Sequence, residues 1–307
     1  MLPPKTSGLF DRLAEYFSDH PRILLSLQLA PAIIFVAGVV FIPLASVFAW
    51  SFWEMEGRRL VPTFSTDAYA RFLGAGGGTF RLEVFATSLR IAVTQTAIAL
   101  VLGFAIAYFV GVKMRGSKYV LPLLLLFAVP FLTSYLMRTL SWHAVLQRFG
   151  LINTVLLGLG VIEEPMTWLL FSEFAVHVGL LSTYLPFMIF PVWLAMSRID
   201  RTVLSASADL GGTPKDTLFR IVIPLTLPGI LIGCIFVFVG VLGDSVVPAL
   251  LGGPGGSSTL LANLMDRAVS GDDLPLAGAM ASITLAMAIG LILAWEFFFG
   301  LKKIGEI

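Results

Sequence analysis

The sequence predicts an all-α integral membrane protein with six transmembrane helices. Three observations carry that expectation. Hydrophobic residues make up 57% of the chain and charged residues 13%, where a soluble domain carries about 25% charged residues. The mean hydropathy is +0.92. Six runs reach the length of about 20 apolar residues that crosses the hydrocarbon core; they lie near 24–53, 84–112, 119–140, 174–197, 226–250 and 277–300.

Residues 1–22 form a polar leader with both charge signs and no short apolar core ending in a small-residue cleavage site. It is read as preceding a retained first helix and not as a signal peptide. Residues 23–83 hold the first span and an outer loop, 84–300 the other five spans, and 301–307 a tail. Pro122 and Pro130 interrupt the third span and Pro186 and Pro191 the fourth; such kinks free carbonyls that line cavities, and often they serve packing alone. An interfacial helix is expected over 151–160. In the fifth span Gly229, Gly233, Val237, Gly240 and Asp244 fall on one helical stripe, which puts the carboxylate on the small-residue packing face. Cys234, the only cysteine, lies in the same span, so a disulfide framework and a Cys-based metal site are excluded.

Basic residues set the orientation. With the N-terminus taken as cytoplasmic, the inside segments hold Lys5, Arg12, Arg22, Lys113, Arg115, Lys118, Arg198, Arg201, Lys215, Arg220, Lys302 and Lys303, twelve of the 20 in the chain. The densest group is the turn Lys113-Met-Arg-Gly-Ser-Lys118, whereas the 251–276 loop has one Arg against Asp266, Asp272 and Asp273. Both termini and the 198–225 loop are expected inside.

That loop has helix signals of its own. Asp200 suits the cap of a helix over 201–210, closed by Gly211-Gly212, where left-handed geometry is cheap. Thr213-Pro-Lys-Asp216 starts a second helix in capping-box order, and that helix runs into the fifth span. On the first, Val203, Ala206, Ser207 and Leu210 share one face and Ser205 and Asp209 another. Small side chains allow close approach by another protein; on helix signals alone, an ordinary turn of the chain fits as well.

The stretch Ser205-Ala-Ser-Ala-Asp-Leu-Gly211, followed by Ile221-Val-Ile-Pro224, resembles the "EAA" loop of binding-protein-dependent ABC importer permeases. Thr87-Ser-Leu89, Thr94, Gly103 and Ala107-Tyr108 are similar to the opening helix of that family's core, here 84–300. What precedes it resembles the extra first helix and outer loop of larger members. The resemblance implies the type I ABC importer permease fold in a bacterial inner membrane. It implies a coupling loop over 200–224, with ATPase-coupling residues at Ser205, Ala206, Ser207, Asp209, Gly211, Ile221 and Pro224. The partners implied are an ATPase dimer with a cleft for the short helix, a second permease subunit, an external substrate-binding protein and membrane lipid. Nothing calls for nucleic acid. Ser205 stands where the family usually has Glu and Ser207 where it has Ala, so Asp209, one turn on from Ser205, is expected to supply a substitute carboxylate. No G-x-x-x-x-G-K-[ST] occurs; ATP and Mg are therefore expected on the partner ATPase and no cofactor in this chain.

The route is sought in polar groups within the spans. A charge there costs at least about 2.5–3.5 kcal/mol and normally faces a bundle interior or aqueous path, which makes Asp244 the first candidate; the competing reading is a carboxylate placed at the outer interface. Aromatic faces attract organic cations by about 0.5–2 kcal/mol, although Trp and Tyr also belt membrane edges. The motifs Arg138-Thr-x-x-Trp142, Gly150-x-Ile-Asn153, Gly243-Asp244-Ser-Val-Val-Pro248, Leu250-Leu-Gly-Gly-Pro254 and Leu261-Ala-Asn263-Leu264 are similar to permeases of spermidine and putrescine importers. That implies a polyamine, while importers of opines, aminophosphonates and other amino compounds share much of the pattern. For a polycation the expected path residues are Asp244, Tyr135 and Trp142, with Tyr184 and Glu173 in addition. Arg138 is expected to be paired with a carboxylate or the membrane surface. The outer segments 54–83 and 148–173 are expected to meet the binding protein.

Two other classes fit poorly. An ion-coupled secondary transporter usually shows inverted repeats with ionisable groups in both halves, and no convincing repeat is present. An intramembrane enzyme is suggested only by His143, His177 and Ser245, without a G-x-S-x-G or H-E-x-x-H arrangement. The chain is read as a non-catalytic subunit.

Overall fold

The computed structural model describes residues 21–75, 78–253 and 258–299. Residues 1–20 of the expected leader, the whole of the expected tail 301–307 and Pro254 of the Leu250–Pro254 motif lie outside the described residues.

In chain order the helices are α1 (Pro21–Trp50), α2 (Asp67–Phe72), α3 (Phe80–Tyr108), α4 (Val120–Leu132), α5 (Tyr135–Leu146), α6 (Leu151–Gly158) and α7 (Glu173–Ser197). They continue as α8 (Arg201–Asp209), α9 (Pro214–Thr217), α10 (Ile223–Leu242), α11 (Val246–Leu251), α12 (Leu261–Ser270) and α13 (Leu274–Phe299). Two π-helical turns are built in. One, π1 (Phe109–Lys113), continues α3; the other, π2 (Leu218–Val222), joins α9 to α10. A short antiparallel hairpin of β1 (Glu54–Glu56) and β2 (Arg59–Val61) pairs Met55 with Leu60.

Among the described residues, five stretches are long and apolar enough to cross a membrane as single helices, and the bent pair 120–132 plus 135–158 passes the same test together, which gives six when the pair is counted as one broken span. The count agrees with the sequence; the continuity of the third span does not. Instead of one helix over 119–140, the chain turns through 95° between α4 and α5. Thr133 and Ser134 adopt extended ψ values of 145° and 130°. The break is held by side chains: the Thr133 hydroxyl and the Arg138 guanidinium both donate to the Pro130 carbonyl, at 3.2 and 2.6 Å. Without such donors an unpaired carbonyl at membrane depth costs several kcal/mol. The fifth span is likewise corrected. It stops at Leu242, because the Asp244 side chain accepts the Val246 and Val247 amides, both at 3.0 Å, and starts α11 in a new direction.

The core lies where α3, α7 and α10 pack together. The predicted glycine stripe is the seam. A Cβ at Gly229 would lie 2.5 Å from the Pro191 carbonyl oxygen, at Gly233 2.7 Å from Met188 Sδ, and at Gly240 2.3 Å from the Tyr184 ring. From α3, Gly103 meets the same Met188. Small residues thus bring the backbones close, the contact that replaces hydrophobic attraction within lipid. Pro186 is buried within α7, in keeping with a packing role. The α1 helix leans on α13, with Val47 and Ser51 over Gly278, and presents Ile34, Phe35 and Phe41 outward, as a lipid-facing surface requires. At that end α2 buries Phe72 against Leu276 and Met280, and Arg71 binds Asp273 at 2.7 Å and Asp67 at 2.8 Å.

Candidate functional site

Between α7 and α10 the chain folds into a hairpin of α8 and α9. Asp200 accepts the Thr202 amide at 2.9 Å and caps α8; that bond holds its carboxyl below the usual aspartate range. At the other end the Gly212 amide donates to the Ser207 carbonyl and the Gly211 amide to the Ala208 carbonyl, both at 2.9 Å. With Gly211 at φ +78°, this is a Schellman closure. A capping box follows: the Asp216 amide donates to Thr213 Oγ1 at 3.2 Å, and the Thr213 amide to Asp216 Oδ2 at 3.1 Å. The Thr213 hydroxyl and amide together hold the Asp216 carboxyl below its usual range.

No residue of α8 is buried. Val203, Ala206 and Leu210 face out, Leu210 being 88% exposed, while Leu204 packs inward on the core. Ser207 departs from the expected face: its hydroxyl pairs with that of Thr217 at 2.8 Å, across the hairpin. Ser205 folds its hydroxyl back toward the Arg201 and Thr202 carbonyls, at 3.2 and 3.1 Å. Asp209 is exposed one turn further on, Pro224 is exposed and Ile221 is half-buried.

The second cluster is the junction of α10 and α11. Asp244 is only 5% exposed. Besides the two backbone amides, it accepts the Tyr135 hydroxyl at 2.5 Å. The Tyr184 hydroxyl lies 3.2 Å from Oδ2 and 2.8 Å from the Gly240 carbonyl; with a single proton it donates to one of them at a time. Three of the five expected path residues therefore converge, from α5, α7 and the α10–α11 junction.

The other two do not join them. Trp142 is half-buried and packs on the core. Glu173 lies at the start of α7, about 16 Å along the helix from Tyr184, and forms a two-pronged ion pair with Arg90, at 2.6 and 2.8 Å. Arg138 has no carboxylate partner among the described residues: it is held by the Pro130 carbonyl and lies 5.9 Å from the Tyr135 ring centre. The asparagines of the two motifs are clamps. Asn153, fully buried, donates to the Gln147 and Met166 carbonyls and accepts the Met166 amide. Asn263 donates to the Ser245 carbonyl at 2.5 Å and accepts the Leu260 amide at 3.2 Å, bracing the Asp244 junction from α12. Sequence reasoning did not foresee the Gln95–His177 hydrogen bond of 2.7 Å between α3 and α7; its only signal was a glutamine in an apolar run.

The family model for binding-protein-dependent transport system inner membrane components matches residues 99–301, more than half of the chain. The chain belongs to that family. Among relatives of this transport-system component, the spermidine/putrescine transport system permease protein PotB of Escherichia coli K12 is 36% identical over 257 residues, covering 83% of this chain and 90% of that one. The inner membrane ABC transporter permease protein YdcU of the same strain is 31% identical, covering 82% of each chain. In fold, the component is similar to a chain in the crystal structure of a bacterial alginate ABC transporter in complex with an alginate pentasaccharide-bound periplasmic protein. The TM-score is 0.70 at 15% identity, covering 94% of this chain and 97% of that one. The hairpin and the Asp244 junction both lie within the family match, whereas α1, the β-hairpin and α2 precede it.

Proposed function

We propose that this permease serves an ATP-driven importer of polyamines, with the α8–α9 hairpin as the docking element for an ATPase dimer. The observation that carries the docking assignment is the hairpin itself: a helix with no buried residue, closed by its own caps, at the foot of α7 and α10. Val203, Ala206 and Leu210 form the surface offered to the ATPase, and Asp209 offers the carboxylate in place of Ser205. The relatives named for spermidine and putrescine support the substrate class. So does Asp244, a buried carboxylate with no ion-pair partner among the described residues, flanked by two tyrosine rings. Four donors converge on it, which closes it to passage in this conformation; movement of α5 or α7 would free it for an ammonium group. Glu173 and Trp142 serve structure in this reading. A second permease encloses the path, an external binding protein delivers substrate, both termini lie on the hairpin side, and ATP and Mg belong to the ATPase.

The test is uptake of labelled spermidine and putrescine in cells lacking the gene, complemented with the intact gene or with Gly211→Asp. Rescue by the intact gene alone supports substrate and docking together. No gain over the deletion strain overturns the polyamine assignment, and rescue by both versions overturns the docking role of the hairpin.

A further inference from the structure

The basic turn after π1 is more than a topological signal. Arg115 reaches across to the end of α7, where its Nη1 donates to the Ile199 carbonyl and its Nη2 to the Ser197 carbonyl at 2.8 Å. Arg201, the first residue of α8, reaches back and donates to the Arg115 carbonyl at 2.8 Å. The two arginines thus clasp each other's loops: each side chain binds backbone of the segment that bears the other. Gly116 makes room for this. It has φ +85°, and a Cβ there would lie 2.9 Å from Arg201 Nη2. On the other side of the clasp, π1 is pressed on α7, with Gly111 against Met196 and Trp193. Arginine suits the task because its planar fork spans two carbonyls at once, which a lysine ammonium does not, and a cation at a helix C-terminus is favoured by the dipole.

We propose that Arg115 and Arg201 are positioning residues that make the first turn of α8 move as one body with the end of α3. In the importer reading, on which this inference rests, a push on α8 reaches α10 directly through α9 and π2. Along the chain α8 is joined to α7 as well, and the clasp supplies the linkage to α3, so that all three core helices respond to the ATPase. Without it, α8 would move with α7 and α10 and leave α3 behind, and ATP hydrolysis would run with less transport.

The experiment uses the full complex in proteoliposomes, with Arg115→Gln, Arg201→Gln, Arg115→Lys and Gly116→Val forms of this chain. Substrate taken up per ATP hydrolysed is expected to fall about fivefold or more in both glutamine variants, with ATPase activity kept. Arg115→Lys should restore it in part, and Gly116→Val should resemble Arg201→Gln. A merely structural role would lower uptake and hydrolysis in proportion, leaving the ratio unchanged, and that result overturns the proposal. Amide exchange of Thr202 to Ala206 in the isolated chain gives a readout independent of substrate: it should quicken in both glutamine variants. Unchanged exchange overturns the clasp; wild-type complex that hydrolyses ATP without taking up spermidine overturns the substrate reading instead.

Discussion

The α8–α9 hairpin and the Asp244 junction are both sharp reversals between a long helix and a short one, yet they are satisfied in opposite ways. In the hairpin, Asp200 serves Thr202, Ser207 serves Gly212 and Thr213 serves Asp216, all within five positions along the chain. At the junction, Asp244 also serves the neighbouring Val246 and Val247 amides, but its other oxygen is completed by Tyr135, 109 positions away, and Tyr184, 60 positions away. A turn completed by its neighbours keeps its shape while exposed, which suits a surface that must meet and leave a partner. A turn completed by distant helices reports how those helices stand, which suits a point where a path opens and closes.

The comparison is broken most directly at the junction. Asp244→Ala strips the acceptor from two amides and from the Tyr135 hydroxyl, and should destabilise the purified chain by about 3 kcal/mol or more in thermal unfolding. Asp244→Asn keeps an acceptor, so assembly should survive while uptake falls about tenfold, the scale of one lost charge-assisted contact. Wild-type transport by the asparagine variant would reduce Asp244 to scaffold. Next come the seam glycines. Gly229→Ala should cost about 2 kcal/mol, since its methyl meets backbone at Pro191 that cannot give, and Gly233→Ala should cost less, since it meets the soft Met188 thioether. Equal unfolding shifts for the two would place the rigid contact elsewhere.

At the hairpin the effects should be smaller and local. Gly211→Ala puts a side chain at φ +78° with nothing nearby to strike, so it should cost about 1 kcal/mol through backbone strain alone. It should weaken ATPase binding while the core unfolds as before. The smallest effect is with pH. Hydrogen bonds hold Asp200 and Asp216 below the ordinary aspartate range, so their support is complete above the unfolded-state value and fades as pH falls through the folded-state value. Protection of the Thr202 and Asp216 amides should therefore stay level through neutral pH and drop only in acid. A drop near neutrality would contradict the caps.

The same contrast explains what was legible. Asp200, Gly211-Gly212 and Thr213-Pro-Lys-Asp216 announce their structure because cap and partner are neighbours, and the glycine stripe does so because its spacing is helical. The bend at Thr133 was hidden, since Pro130 is tolerated in membrane helices and the break is sealed by Arg138 from the next element. Ser207 turned inward because Thr217 faces it, a pairing visible only once the Schellman closure sets the angle between α8 and α9. Glu173 and Asp244 look alike in sequence; only the fold gives one of them Arg90 and the other two tyrosines.

The π-helical turns bear on which changes in length this chain can accept. Such a turn amounts to one extra residue in an α-helix, and one residue is about 100° of rotation. Removing a single residue from Leu218–Val222 would therefore let α9 and α10 run on as ordinary helix with the faces beyond keeping their directions, whereas removing one from the regular helix between Ile223 and Pro228 would turn everything beyond by that angle. Gly229, Gly233 and Gly240 would then point away from Pro191, Met188 and Tyr184, and the seam would meet bulky side chains. The register of the core against the hairpin is thus written in residue count as well as residue type. A one-residue deletion within π2 should be forgiven more readily than one at the start of α10, although both lie on the same continuous helical stretch.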